Sequence, residues 1–262
     1  MMKRIKQIFW LWQQCFRSMT KIKTFIPFAF YATLQLVILI SLVNFINPPF
    51  VMFYIPLIRQ LFGEGALHYP TFFYILPPLF NQLNFVLSGL VGIILIGVAT
   101  HVFAYNFMRD KISIRIAIRR TFSKYPSLLL IWIAESVISM TIILGLPFVL
   151  TEFLAPDYMV TRIFAYTTAY IVLSYQSFGR SIAQTFVTFK KNIMITFALV
   201  AIPTFLYMPI SYLTGKTNVI ISKFSPEMVA TILGLGIIIS FLTNYFQINT
   251  ITRFYIHLND KK

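Results

Sequence analysis

Six apolar stretches, each long enough to cross a bilayer, constrain this chain more than anything else in it. A hydrocarbon core about 30 Å thick takes about 20 helical residues at 1.5 Å each. That requirement is met near residues 25–47, 83–107, 126–149, 159–177, 193–213 and 227–248. Of the 262 residues 58% are hydrophobic and only 11% charged, against roughly a quarter charged in a water-soluble domain. The sequence therefore predicts an all-α integral membrane protein with six transmembrane helices. Residues 1–24 read as a cytoplasmic amphipathic segment, 25–248 as the six-span domain and 249–262 as a cytoplasmic tail. The first apolar run, Ile8 to Trp12, is short and is broken by Gln13, Gln14 and Arg17, which is not the pattern of a cleaved signal peptide.

Orientation follows from the basic residues. There are 22 Lys and Arg against 7 Asp and Glu, a formal net charge of +15. In a chain this apolar the expected partner of that charge is the anionic face of a membrane, not nucleic acid. Eighteen of the 22 fall before span 1, between spans 2 and 3, between spans 4 and 5, or after span 6. The positive-inside rule then puts both termini in the cytoplasm, in a cell (inner) membrane. Cys15 is the single cysteine, so neither a disulfide within the chain nor a cysteine metal site is available.

Three basic segments precede outgoing spans. At 100° per residue, 3–21 gathers Ile5, Ile8, Phe9, Trp12, Cys15, Phe16 and Met19 on one arc, with Lys3, Lys6, Arg17 and Lys21 opposite. Segment 178–191 does likewise with Phe178, Ile182, Phe186 and Phe189 against Arg180, Ser181, Gln184 and Lys191. Both patterns predict amphipathic elbow helices in the membrane interface. In the middle segment Ile112, Ile114, Ile116 and Ile118 alternate with a strand-like period of two. An open strand edge is costly beside lipid, so an elbow helix is expected there too. Aligning Lys21, Lys124 and Lys190 superposes "MTKIKTFIPFA", "FSKYPSLLLIW" and "TFKKNIMITFA", a threefold repeat of elbow and span. Ordinary basic loops before odd-numbered spans would give the same pattern.

With "RIAIRRTFSKYPSLLL" and "SIAQTFVTFKKNIMI" as its repeated elbow-to-span junctions, the chain resembles six-span bacterial membrane proteins related to the membrane domain of glycerophosphodiester phosphodiesterases. That resemblance covers most of the chain and implies fold and location. The layout also resembles permease subunits of ABC transporters, with six spans and an N-terminal elbow helix. This second resemblance implies cytoplasmic loop helices that dock onto a separate ATPase.

Glu135 is the one acid deep in a predicted span, nine residues into span 3 and so about 14 Å from its cytoplasmic end. An ionisable group at that depth is a candidate site by default. By depth its company is His101 in span 2, Gln35 in span 1 and Tyr170 in span 4. Two readings stand: a polar cluster that binds a proton, cation or head group, or a protonated Glu135 bonded to Ser139 as glue between helices. For His101 alone, reach to interfacial water is the plainer reading. The extracytoplasmic segment 48–81, rich in proline and aromatic residues, is expected to lie against the outer interface.

No phosphate-cradling glycine loop, metal-ligand spacing or converging catalytic pair is present, so neither cofactor nor enzymatic activity is expected. The function expected is the membrane-embedded, permease-type subunit of a transport system with a cytoplasmic partner. Arg115, Arg119, Arg120, Lys124, Arg180, Lys190 and Lys191 would then dock an ATPase. The alternative is a lipid-binding scaffold or assembly factor, in which the same residues meet anionic head groups.

Overall fold

The computed structural model describes residues 2–108, 113–145, 164 and 166–259. It is all-helical, 87% helix, with no strand among the described residues. In chain order the helices are α1 (Met2–Ser18), α2 (Ile26–Val43), α3 (Val51–Phe62), α4 (Thr71–Leu87), α5 (Ile93–Met108), α6 (Ile114–Phe122) and α7 (Tyr125–Gly145). They are followed by α8 (Thr167–Leu173), α9 (Phe178–Lys191), α10 (Ile193–Gly215), α11 (Thr217–Lys223) and α12 (Met228–Asn259). One π-helical turn, Ser88–Gly92, joins α4 to α5.

Among the described residues three helices are long and apolar enough to cross a membrane: α2, the continuous helix Thr71–Met108 and α12. A fourth arises if Ile193–Ala201 and Phe205–Gly215, bent by 51°, form one span. Pro203 sits in that bend, where its ring and missing N–H break the helical ladder. Of the six expected spans, the one at 126–149 begins as α7 and continues into residues outside the described set. Residues 159–163 and 165 of the one at 159–177 also lie outside that set, as does Pro147.

Several boundaries differ from the expectation. The second span starts twelve residues early, at Thr71, because Pro77 and Pro78 are accommodated inside α4, with Pro77 buried. The sixth does not stop at 248 but runs on to Asn259 as a 32-residue helix, about 48 Å long. The tail read from 249 is therefore helical and largely buried as far as Ile256. Residues 114–122, which hold Ile114, Ile116 and Ile118 of the alternating set, are helical, while Ile112 lies outside the described residues.

The chain divides into two compact units, Met1–Phe28 with Gly89–Thr204 and Asn244–Lys262, and Ala29–Ser88 with Phe205–Thr243. In the second, the aromatic segment is a folded piece of the core. Tyr54 and Ile58 of α3 and Phe72, Phe73 and Leu76 of α4 pack with Leu39, Leu42, Phe45, Ile220 and Val229. The Tyr54 and Ser41 hydroxyls lie 2.7 Å apart. Helix α3 stops at Gly63, whose φ of +81° is open to glycine at no steric cost. At the head of α12 the exposed Glu227 carboxyl is held below its usual range by its own backbone N–H, then by the Ser225 and Tyr69 hydroxyls.

In the first unit the amphipathic helices turn an unusual face inward. Helix α6 buries Ala117 and Thr121, and α9 buries Ser181, Thr185 and Thr188. Their large apolar residues, Ile116, Ile118 and Phe122 on α6 and Phe186 and Val187 on α9, are exposed. Helix α1 buries Leu11, Cys15 and Ser18 and leaves Phe9 72% exposed. Small residues inward and large apolar ones outward is the packing logic of helices in lipid.

Candidate functional site

Each amphipathic helix is held by a tyrosine from a different helix of the first unit. Tyr105 of α5 accepts from the Arg120 guanidinium of α6. The Tyr170 hydroxyl of α8 lies 2.7 Å from Thr188 of α9. The Tyr245 hydroxyl of α12 lies 3.1 Å from Ser18 of α1 and 3.1 Å from Thr24 just beyond it.

Two of these tyrosines, Tyr105 and Tyr245, sit on stripes with a spacing of four, one helical face. On α5 the stripe is Gly97, His101 and Tyr105. A Cβ at Gly97 would come within 2.5 Å of Thr121 Cγ2, so only glycine allows α6 this close. His101, between Gly97 and Tyr105, is 2% exposed. Neither ring nitrogen has a hydrogen-bond partner among the described residues. On α12 the stripe is Tyr245, Asn249 and Arg253. Asn249 Nδ2 donates to Ser18 Oγ at 2.6 Å, and Arg253 Nε donates to Asn249 Oδ1 at 2.7 Å. Arg253 is 4% exposed, and its guanidinium carbon stands 5.5 Å from the centroid of the Phe107 ring. Among the described residues no carboxylate pairs with it.

A cleft of about 360 Å³ opens beside the third tyrosine, lined by Tyr170, Ala183, Gln184, Val187, Thr188, Lys191, Asn192, Leu258 and Asn259. Its walls come from α8, α9, the α9–α10 corner and the end of α12.

The four expected intramembrane residues are not joined by any hydrogen bond or ion pair among the described residues. Gln35 is buried on α2 in the second unit, while the other three belong to the first. His101 lies on the α5 face between Gly97 and Tyr105, both of which meet α6, and the charge that acts on it is that of Arg120. It is buried, so it does not reach interfacial water. Glu135 is partly exposed on α7 and forms no hydrogen bond with Ser139 or with any other described residue. Tyr170 lines the cleft.

Of the expected docking residues, Arg115, Arg119, Arg120, Arg180, Lys190 and Lys191 are exposed. Lys124 is half-buried, its ammonium 5.2 Å from the centroid of the Tyr175 ring. The sequence reading gave no site role to Asn249, Arg253, Gln184, Asn192 and Asn259. The spacing Tyr245, Asn249, Arg253 was a signal for the first two. Nothing local marks the rest, which meet only through the fold.

Among the described residues no group of three or more His, Cys, Asp or Glu could hold a metal ion. Comparison with known protein families, curated proteins and solved structures finds no match.

Proposed function

We propose that this chain is a multi-pass membrane protein seated in an anionic leaflet by α1, α6 and α9, and that it acts as a lipid-binding scaffold. The observation that carries the reading is the inverted amphipathicity of α6 and α9. Hydroxyl and small side chains face the protein, while Phe122, Phe186 and Val187 are exposed beside exposed Arg115, Arg119, Arg180 and Lys190. Large apolar and basic groups side by side on one surface match the boundary between acyl chains and anionic head groups. Both termini are then cytoplasmic and the six apolar stretches cross the membrane, α7 and α8 contributing to spans 3 and 4.

The test is the lipid retained by the full chain purified from mixed bilayers. Anionic lipid is expected to be enriched over zwitterionic lipid. Neutralising Arg115, Arg119, Arg180 and Lys190 together should reduce that enrichment, by about fivefold for each charge that contacts head groups. Equal retention of the two lipid classes by the unaltered protein would overturn the reading.

A permease-type subunit is the second reading, favoured by Glu135, a carboxyl on an apolar helix with no hydrogen-bond partner among the described residues. A stoichiometric ATPase bound through the same exposed arginines would establish it in place of the scaffold.

A further inference from the structure

The three elbow-to-span corners carry equivalent lysines, and two are occupied by the protein itself. Lys21 Nζ donates to Asn106 Oδ1 at 2.5 Å, and Lys124 covers the Tyr175 ring. The third corner has the aligned Lys190 and, next to it, Lys191, which is exposed, has no hydrogen-bond or ion-pair partner among the described residues and lies at the edge of the 360 Å³ cleft.

The cleft is amphiphilic by construction. Gln184, Thr188 and Lys191 follow one another at helical spacing along α9, and Ala183 and Val187 form the neighbouring stripe. Asn192, Leu258 and Asn259 complete the lining. The two asparagines are fixed in place, Asn192 Nδ2 donating to Thr188 O at 3.1 Å and Asn259 Nδ2 to Tyr255 O at 3.0 Å. Each amide nitrogen carries two hydrogens, so each keeps one to offer. Thr188 is held by Tyr170. Among the described residues no acidic side chain lines the cleft. The polar lining thus presents, among the described residues, one cation and fixed amide donors, the complement of a phosphate. Val187 in the lining and its chain neighbour Phe186 are both exposed, a surface suited to an acyl chain.

We propose that this cleft is a specific site for one anionic phospholipid, its phosphate held by Lys191 with the Asn192 and Asn259 amides and its acyl chains laid along Val187. The proposal rests on the reading of α9 as an interfacial helix. It goes further in assigning one defined site apart from the general basic surface.

The experiment is native mass spectrometry of the full chain released from bilayers of mixed phosphatidylglycerol and phosphatidylcholine. One phosphatidylglycerol is expected to stay bound under activation that strips the remaining lipid. Lys191→Gln should lower its occupancy by about fivefold, the effect of one basic residue at an anionic surface. Val187→Trp, which adds bulk to the apolar lining without altering charge, should lower it as well. Lys223→Gln, an equal charge change on the other unit, should leave it intact.

Occupancy unchanged in both cleft variants overturns the site even if anionic lipid is enriched overall, and the general reading then survives alone. A persistent phosphatidylglycerol without bulk enrichment keeps the site and removes the general reading. Equal retention of phosphatidylcholine, or displacement by inorganic phosphate, overturns the phospholipid assignment. Unshifted melting of the variants checks that they fold.

Discussion

Ser18 and Tyr245, 227 positions apart in the chain, meet hydroxyl to hydroxyl at 3.1 Å, tying α1 to α12. The serine donates to Cys15 O at 2.7 Å and accepts from Asn249 at 2.6 Å. Its oxygen is therefore satisfied even without the tyrosine. Tyr245→Phe is expected to cost only about 1 kcal/mol, one net hydrogen bond. Asn249→Leu is more damaging, because it strips Arg253 Nε of its acceptor and leaves a buried guanidinium short of a partner. That loss should reach about 3 kcal/mol, the scale for hydrogen bonds to charged groups. Thermal unfolding of the two variants in the same detergent is the measurement. A tyrosine variant that melts below the asparagine variant would contradict this order of importance.

Gly97 and Thr121 form the tightest approach between α5 and α6. A methyl at position 97 would lie 2.5 Å from Thr121 Cγ2 and 3.3 Å from its Oγ1, too close for either helix to stay in place. Gly97→Ala is expected to cost about 1–3 kcal/mol, in the range for overpacking. Thr121 Oγ1 is buried without a partner among the described residues, so Thr121→Ala alone should be nearly neutral. The double variant should recover most of the loss, because the alanine at 121 removes both clashing atoms. Additive rather than compensating effects in that double-mutant cycle would show that the two sites do not touch.

These two stripes show where the sequence was legible and where it was not. Helices α2 and α12 announce themselves as apolar runs, and basic corners mark where α1, α6 and α9 end. Burial of 249–256 was hidden, because Asn249 and Arg253 read as solvated until α1 is seen to supply Ser18 as a partner. Residues 71–82 looked like a loop through Pro77 and Pro78, which the fold absorbs by packing Pro77 in the core. His101 was matched to Glu135 by depth, yet depth fixes height along a helix and not direction around it. Gly97 and Tyr105, four residues on either side of it, fix the direction toward α6. The cleft was the least legible feature, since Tyr170, Lys191 and Asn259 are brought together only by the fold.

Glu135 separates the glue reading from the alternative. A carboxyl acting as glue should lose a hydrogen bond when altered. Here no partner is present among the described residues, so Glu135→Leu should leave the melting temperature unchanged or raise it, through removal of a polar group from apolar surroundings. A drop equivalent to about 1 kcal/mol or more would mean that the carboxyl has a partner. Unchanged stability combined with lost transport, once a substrate is known, would give the residue a functional role.

Cys15 offers a pH-dependent check on how firmly α1 is seated. Burial pushes its thiol up from 9.0 to about 12, against smaller opposing effects of the Arg253 charge and the Asn249 hydrogen bond. Three pH units correspond to about a thousandfold less thiolate near pH 8, and the thiolate is the reactive form. Maleimide labelling of the folded protein should accordingly be slower than that of the unfolded chain by at least that factor, with steric shielding adding to it. The labelling rate should keep rising about tenfold per unit beyond pH 9, where an exposed thiol would level off. The sign for stability follows from the same shift. The folded chain keeps this proton longer than the unfolded one, so the contribution is intact below about pH 9 and is lost as pH rises toward 12. Equal labelling of folded and unfolded protein at pH 8 would mean that α1 swings free of α12, and the Ser18–Tyr245 contact would go with it.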